Sequence, residues 1–397
     1  MPFPSALTAR PPDADRLIVC FSDIEMGAGG LLDDFPHSDW FDALLATYDG
    51  VDVPVDLVLN GDTFDFLKTS VEGAWPRHVT AEVALAKVDR VARAHPTFFS
   101  GLRRFLSFPN RTVAFTVGNH DPELLFPEVQ QALTALVDAP LGFPGFAIDI
   151  GDAHFEHGSQ VDEMFRMHPT DHFAEHQGRR VLRLPWGSVG ILDVAMPLHP
   201  LVFDLDRVKP HRRVLELLPD LRSLLVHAYW RYWTGEYARS LYAGIDPLRT
   251  VSWTMLKEVS YRLITADPDV ESAAHLIRLL DGDAGYRLVV VGHVHEAALV
   301  SRADRRLITT GCMRNEYVID GEGAVVGALP KVWAQVWQRD GRTRASGLLE
   351  SYGPPVPQGH APVHVRDVLP RLAHRFASPG ELASLAIEEL AQRDRER

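Results

Sequence analysis

Residues 16–27 read RLIVCFSDIEMG. The run from Arg16 to Phe21 has the length and apolar content of a buried strand, and it delivers Ser22 and Asp23 to its carboxyl end. Open α/β sheets gather their ligands at that end. Two residues after Asp23 stands Glu25, where a His would complete half of a metal site. An oxygen donor there leaves two readings: a variant ligand, or a site that has decayed.

Working outward, DLVLNGD (56–62) and RTVAFTVGNHD (111–121) repeat the pattern of an apolar run closing on acids, amides or His. Helical patterns lie nearby: AEVALAKVDRVARAH (81–95), broken before Pro96, and ELLFPEVQQALTALV (123–137). GFAIDIGDAHFEHG (145–158) alternates like a hairpin with Gly151-Asp152 at its turn. Strand signals then stop until YRLVVVGHVH (286–295), and a stretch that long is not a loop. It reads as a mostly helical insertion over 159–285, dividing a core of 1–158 and 286–350. RRLITTG and PKVWAQVWQR read as further strands, and 351–397 as a linker opening PPVPQGHAPV followed by a polar helix.

The chain of 397 residues is 46% hydrophobic, enough for a large core. Its 53 acidic residues against 40 Lys and Arg give a net charge of −13, which argues against a nucleic-acid partner. No apolar run approaches the ~18 residues of a membrane span, and the N-terminus lacks the apolar centre of a signal peptide, so a cytoplasmic location is expected. Cys20 and Cys312 do not make a disulfide framework.

Five short motifs fall at the ends of the expected strands: Ser22-Asp23-Ile24-Glu25, Gly61-Asp62-Thr63-Phe64-Asp65, Gly118-Asn119-His120-Asp121, Glu156-His157-Gly158 and Gly292-His293-Val294-His295. Each alone is ordinary, since a Gly-Asp after a strand is usually a turn and His-x-His is often strand alternation. Together they suit a pair of divalent ions about 3.5–4 Å apart, which need a bridging carboxylate and mixed nitrogen and oxygen ligands on either side. Asp62 is the natural bridge. No G-x-S-x-G and no Cys beside a His offers a competing nucleophile.

This order of motifs resembles the calcineurin-like metallophosphoesterase superfamily, whose pattern is D-x-H, G-D-x-x-D, G-N-H-D/E, H and G-H-x-H. The resemblance implies a two-sheet αββα sandwich, here with an inserted cap. It implies one ion on Asp23, Asp62 and His295, with Glu25 in place of the usual His, and another on Asp62, Asn119, His157 and His293. His120 would stabilise the phosphate and protonate the leaving oxygen, Asp121 would orient His120, and Asp65 would cap a turn or support the site. The function implied is hydrolysis of a phosphodiester or pyrophosphate bond through a metal-bridging hydroxide. A catalytically silent scaffold of the same fold and a phosphomonoesterase are the alternatives.

Glu25 in a His position favours harder ions, Mn²⁺ or Mg²⁺ over Zn²⁺, and Mn²⁺ is the expected metal. The position of the insertion resembles that in bacterial UDP-2,3-diacylglucosamine pyrophosphatases, implying a cap over a small or amphiphilic phosphoester. Arg166, His168, Arg179 and Arg180 follow soon after His157 and read either as phosphate contacts or as solvated helix residues. Arg314 and Asn315, in the loop after RRLITTG, read either as substrate contacts or as turn residues. AYWRYWTGEYARSLY (228–242) suggests base stacking or lipid contact, but helical spacing puts Leu221, Leu225, Ala228 and Tyr232 on one face and Trp230, Trp233 and Tyr237 on another, and packing inside the cap is the expectation.

Overall fold

A computed structural model describes residues 9–196, 199, 203–244, 246–248, 253–255, 257–258, 276–280, 285–353 and 365–367. The expected tail helix lies outside the described residues. Strand β1 (Arg16–Phe21) is followed by α1 (Ser38–Ala46), β2 (Val55–Asn60), α2 (Ala81–Ala94), α3 (Pro96–Ser107), β3 (Arg111–Thr116), α4 (Pro127–Val137) and β4 (Gly142–Gly145). The hairpin β5 (Ala147–Ile150) and β6 (Ala153–Glu156) comes next, then β7 (Phe173–His176), β8 (Arg179–Leu182) and β9 (Val208–Lys209). The described strands end with β10 (Leu288–Val291), β11 (Ala297–Arg302), β12 (Arg305–Thr310), β13 (Tyr317–Ile319), β14 (Val325–Ala328), β15 (Lys331–Arg339) and β16 (Arg342–Ser351).

Two sheets carry the core. One runs β16-β15-β1-β2-β3-β4, with β1 to β4 parallel; the other runs β11-β12-β10-β6-β5, with β6, β10 and β12 parallel. The near-continuous apolar run of β1 follows from burial on both faces. Ile18 and Cys20 point between the sheets, where they meet Phe155, Val290 and Ile308, while Leu17, Val19 and Phe21 point to the helix layer, into a cluster with Phe41, Phe98 and Val129. On the outer face of the second sheet, Val289, Val291 and Leu307 pack against Leu276 and Leu280. The order is helices, sheet, sheet and, against the second sheet among the described residues, the short turn Ile277–Leu280.

Local chemistry sets the helix starts. Thr80 accepts the Val83 N–H as an N-cap, and Pro96 and Pro127 occupy first-turn positions where a missing N–H costs nothing. Pro127 also corrects the continuous helix expected over 123–137. It forces Phe126 to extended backbone (φ −78°, ψ 124°), so Pro122–Leu125 is a separate short turn.

The segment expected as an insertion is helical over Trp186–Ala195, His211–Leu217 and Pro219–Ala243, but it is not free of strands. β7 and β8 form a hairpin whose turn residues Gln177 and Gly178 have φ of 49° and 73°, as a tight hairpin turn requires. Its exposed Glu175, Arg179 and Arg180 hid the alternation from a hydrophobic reading. Leu221, Tyr232 and Tyr237 are buried as expected, whereas Trp230 is 58% exposed. No helix among the described residues is long and apolar enough to cross a membrane.

Candidate metal centre

Every motif sits just past the carboxyl end of a central strand: Asp23 after β1, Asp62 after β2, Asn119 and His120 after β3, His157 after β6, His293 and His295 after β10. Because β1, β2 and β3 neighbour one another in one sheet and β6 and β10 in the other, the five loops meet at one end of the sandwich. The backbone bends sharply to do so. Asp23, Glu25, Asp62, His293 and His295 all have φ between 49° and 71°, a region non-glycine residues seldom enter. Such conformations persist only where the surroundings over-determine them, and they gather at functional sites. Two glycines admit the carboxylates: a Cβ at Gly118 would collide with Asp62, and one at Gly292 with Ser22 and Asp23.

Asp23, Glu25, Asp62 and His157 are 2% exposed or less. His157 Nε2 lies 3.0 Å from Asp62 Oδ2, 3.2 Å from Asn119 Oδ1 and 3.9 Å from Asp23 Oδ1. Its Nδ1 lies 3.2 Å from the Asn60 carbonyl, which fixes the tautomer that turns Nε2 into the site. On the other side, His295 Nε2 lies 3.3 Å from Asp23 Oδ1 and 3.2 Å from Glu25 Oε1, and its Nδ1 is 2.8 Å from Glu316 Oε1. Asp23 Oδ1 thus stands between two imidazoles, and Asp62 beside one of them. His293 stands at the edge of the group, its ring centroid 5.2 Å from that of His157 and its Nε2 3.2 Å from Asp162 Oδ2.

Burial alone would neutralise these groups, but each is outweighed by its neighbours. Burial opposes the charge on Asp62, yet His157 and His120 pull it down to about 2. Burial likewise disfavours the His157 cation, but Asp62 and Asp23 raise it to about 9. For His120, the same opposition loses to Asp62, Glu25 and Asp65, and it rises to about 10. Without metal, imidazolium and carboxylate satisfy one another.

The donor set suits divalent cations. Asp23, Asp62 and His157, and again Asp23, Glu25 and His295, bring ligand atoms within 4.8 Å of one another, and the buried Glu25 Oε1 has no hydrogen-bond partner. Carboxylate oxygen with imidazole nitrogen fits Mn²⁺, Fe²⁺ or Zn²⁺.

The site departs from expectation in its supports. Asp121 does not contact His120: its carboxylate accepts the N–H groups of Gly118 and Thr63, each at 2.8 Å, and clasps two ligand loops together. Burial and repulsion from Asp62 raise it to about 7. His120 is oriented instead by Asp65, whose Oδ1 lies 3.0 Å from His120 Nδ1. The expected phosphate cluster is also corrected. Arg166 is exposed and pairs with Glu163, His168 is exposed and accepts the N–H groups of Thr170 and Asp171, Arg179 pairs with Glu82, and Arg180 lies over the Phe173 ring. None of them lines the cavity above the centre. Asn315 is buried behind it, its Oδ1 accepting from Lys331 Nζ and lying 2.9 Å from His37 Nε2.

Arg314 does reach the site, donating to Glu25 Oε2 at 2.7 Å. Lys68 Nζ joins it, 3.3 Å from the same oxygen. Together these cations hold Glu25 well below the ordinary carboxylate range although burial opposes it. Lys68, Glu316, Asp162 and Asp206 were not singled out from sequence. Lys68 follows Asp65 by three residues and Glu316 follows Arg314 by two, so proximity to a motif was the signal; Asp206 carried none.

Over the centre lies a cavity of about 450 Å³. Its floor holds Glu25, Asp62, Asn119, His120, His293 and His295; much of its wall is apolar and comes from the insertion, including Phe165, Met196, Leu205 and Leu221.

No protein-family model and no curated protein matches the chain. Solved structures that resemble it include a novel archaeal phosphodiesterase, 11% identical over 84% of this chain and 99% of that chain, with a TM-score of 0.29. A dimetal phosphatase from Danio rerio is 12% identical over 85% of this chain and 99% of that one, with a TM-score of 0.36.

Proposed function

We propose that the chain is a metal-dependent hydrolase of phosphoric esters that uses two divalent ions, Mn²⁺ foremost, to cleave a phosphodiester or pyrophosphate bond. The observation that carries this reading is the buried Asp23 carboxylate set between His157 and His295, with Asp62 and Asn119 on one flank and Glu25 on the other. Asp62, Asn119, His157 and His293 would hold one ion, and Asp23, Asp62, Glu25 and His295 the other. When bound, the ions supply an activated water and neutralise phosphoryl oxygens.

The protein's own groups do the rest. His120 lines the cavity with Nδ1 held by Asp65, which leaves Nε2 to donate a hydrogen bond to a phosphoryl oxygen or a proton to the departing one. Asp121 keeps the loops carrying Asp62 and Asn119 in register. The apolar wall from the insertion suits a substrate with an apolar portion and keeps bulk water from the reacting phosphorus.

A silent scaffold is the second reading, favoured by the engagement of Glu25 Oε2 with Arg314 and Lys68, which takes one of its two oxygens away from an ion. Metal-stripped protein supplied with Mn²⁺ separates the two on bis(p-nitrophenyl) phosphate and p-nitrophenyl phosphate. Hydrolysis of the diester above the monoester is expected; monoester preference transfers the assignment to phosphomonoesterases, and a folded, metal-loaded protein inert toward both supports the scaffold.

A further inference from the structure

The loop that follows β12 brings a thiol up to the edge of the centre. Cys312 stands two residues past the end of β12 at Thr310, and its loop is tied to the Asp23 loop by the Met313 N–H, which donates to the Asp23 carbonyl at 2.9 Å. The thiol is free and buried, with Cys312 only 5% exposed. Ligand atoms of His295, Cys312 and Glu316 all lie within 4.8 Å of one another. Neither Cys312 nor Glu316 belongs to the two ion positions proposed above.

A second observation points to a ligand. Glu316 is 2% exposed, and its two oxygens differ. Oε1 lies 2.8 Å from His295 Nδ1, with Arg314 Nε at 3.5 Å and Lys209 Nζ at 3.9 Å, whereas the buried Oε2 has no hydrogen-bond partner. Leaving a buried carboxylate oxygen idle is costly, and buried polar groups are nearly always paired. His295 and Glu316 both line the cavity, which gives an ion a way in. A tetrahedral ion with ligands at about 2.0–2.3 Å needs its donors roughly 3.3–3.8 Å apart, so a modest turn of the Cys312 and Glu316 side chains closes the group around it.

We propose that His295 Nδ1, Cys312 Sγ and Glu316 Oε2 form a separate, inhibitory site for a thiophilic divalent ion, Zn²⁺ foremost. A thiolate is a soft donor that selects Zn²⁺, Co²⁺ or Cd²⁺ over Mn²⁺, so this site discriminates against the ion expected in the centre. The inhibition follows from the imidazole, and for that consequence the proposal rests on the two-ion reading above. There His295 serves the centre through Nε2, with its proton on Nδ1 facing Glu316. An ion on Nδ1 demands the other tautomer. The thiol gives its proton to solvent, Nδ1 gives up its own, and a proton is carried on Nε2, where Asp23 Oδ1 at 3.3 Å and Glu25 Oε1 at 3.2 Å stand to accept it. One neutral imidazole cannot serve both sites, so filling the side site withdraws a ligand from the ion beside Glu25.

The test is a titration of the full-length Mn²⁺-loaded protein with Co²⁺, whose thiolate-to-metal charge-transfer absorption in the near ultraviolet reports a Co–S bond without any turnover. The expected result is a saturable band that is lost in Cys312→Ser, kept in Cys20→Ala and weakened about ten-fold in apparent affinity by Glu316→Gln, which retains the thiol. In parallel, Zn²⁺ added to the Mn²⁺-loaded protein should inhibit diester hydrolysis, and Cys312→Ser should raise the Zn²⁺ required by about ten-fold. Absence of the band in the parent protein, its persistence in Cys312→Ser or its indifference to Glu316→Gln would overturn the site. Equal inhibition of the parent and Cys312→Ser would mean that Zn²⁺ merely replaces Mn²⁺ in the centre, and would overturn the inhibitory role. A protein that shows the Cys312-dependent band but hydrolyses no ester would count against the proposed activity and support the site.

Discussion

The two flanks of the centre are built from the same kind of loop but differ in what stands behind them. On the His157 flank the ligand atoms face one another and the backbone: His157 meets Asp62, Asn119 and the Asn60 carbonyl. On the His295 flank, Glu25 is shared with Arg314 and Lys68, and His295 itself is tied to Glu316. On the proposed reading a metal on the first flank would displace a proton, and one on the second would compete with two fixed cations for Glu25. On that reading the second ion would be the more weakly held, while Arg314 and Lys68 hold Glu25 well below the ordinary carboxylate range.

The largest effect should come from removing what both flanks depend on. Asp62→Ala is expected to lower kcat/KM for the diester by about 10³-fold or more, since it strips a carboxylate from both ions, and near-parental turnover would break the two-metal account. His120→Ala should cost about 10²-fold or more in kcat with metal content unchanged, a split that separates a proton donor from a ligand. Asp65→Asn should lower kcat by about ten-fold through the tilt of His120, whereas Asp121→Asn should show first as reduced metal retention and a lower Tm; the reverse assignment would restore Asp121 as the orienting group.

Glu25→His sharpens the contrast between the flanks. Zn²⁺ should gain on Mn²⁺ by about ten-fold in relative activity, and an unchanged metal profile would show that Glu25 answers only to Arg314 and Lys68. The smallest effect is in pH. His157, ordinarily near 6.5, is raised to about 9 in the metal-free protein, so the stability of its pair with Asp62 is complete below about 6.5 and lost as pH rises through about 9. Metal-free protein should therefore show a falling Tm over that window, and Asp62→Asn should flatten it.

The clustering of these residues was legible because each follows an apolar run, and the strand ends it implied are where the loops converge. Asp23, Asp62, Asn119, His157 and His295 come together as the motifs imply, with His293 at the edge. The supports were not legible in the same way. Asp121 and Asp65 are both acids near His120 in sequence or motif, and only the direction of their carboxylates decides which orients it. Arg166 and His168 lie close to His157 along the chain but point to solvent, because after Gly158 (φ 102°) and the short turn at Ser159–Val161 the chain leaves the site. Asp206 meets Lys68 across 138 positions, a contact no local pattern carries.

The most direct test is a titration of metal-stripped protein with Mn²⁺ in which ions bound per chain and hydrolysis of bis(p-nitrophenyl) phosphate are measured on the same sample. Activity that stays low through the first equivalent and rises with a second, weaker one is the predicted result. Full activity at one equivalent, or two bound ions with no hydrolysis of any phosphoric ester, would contradict it.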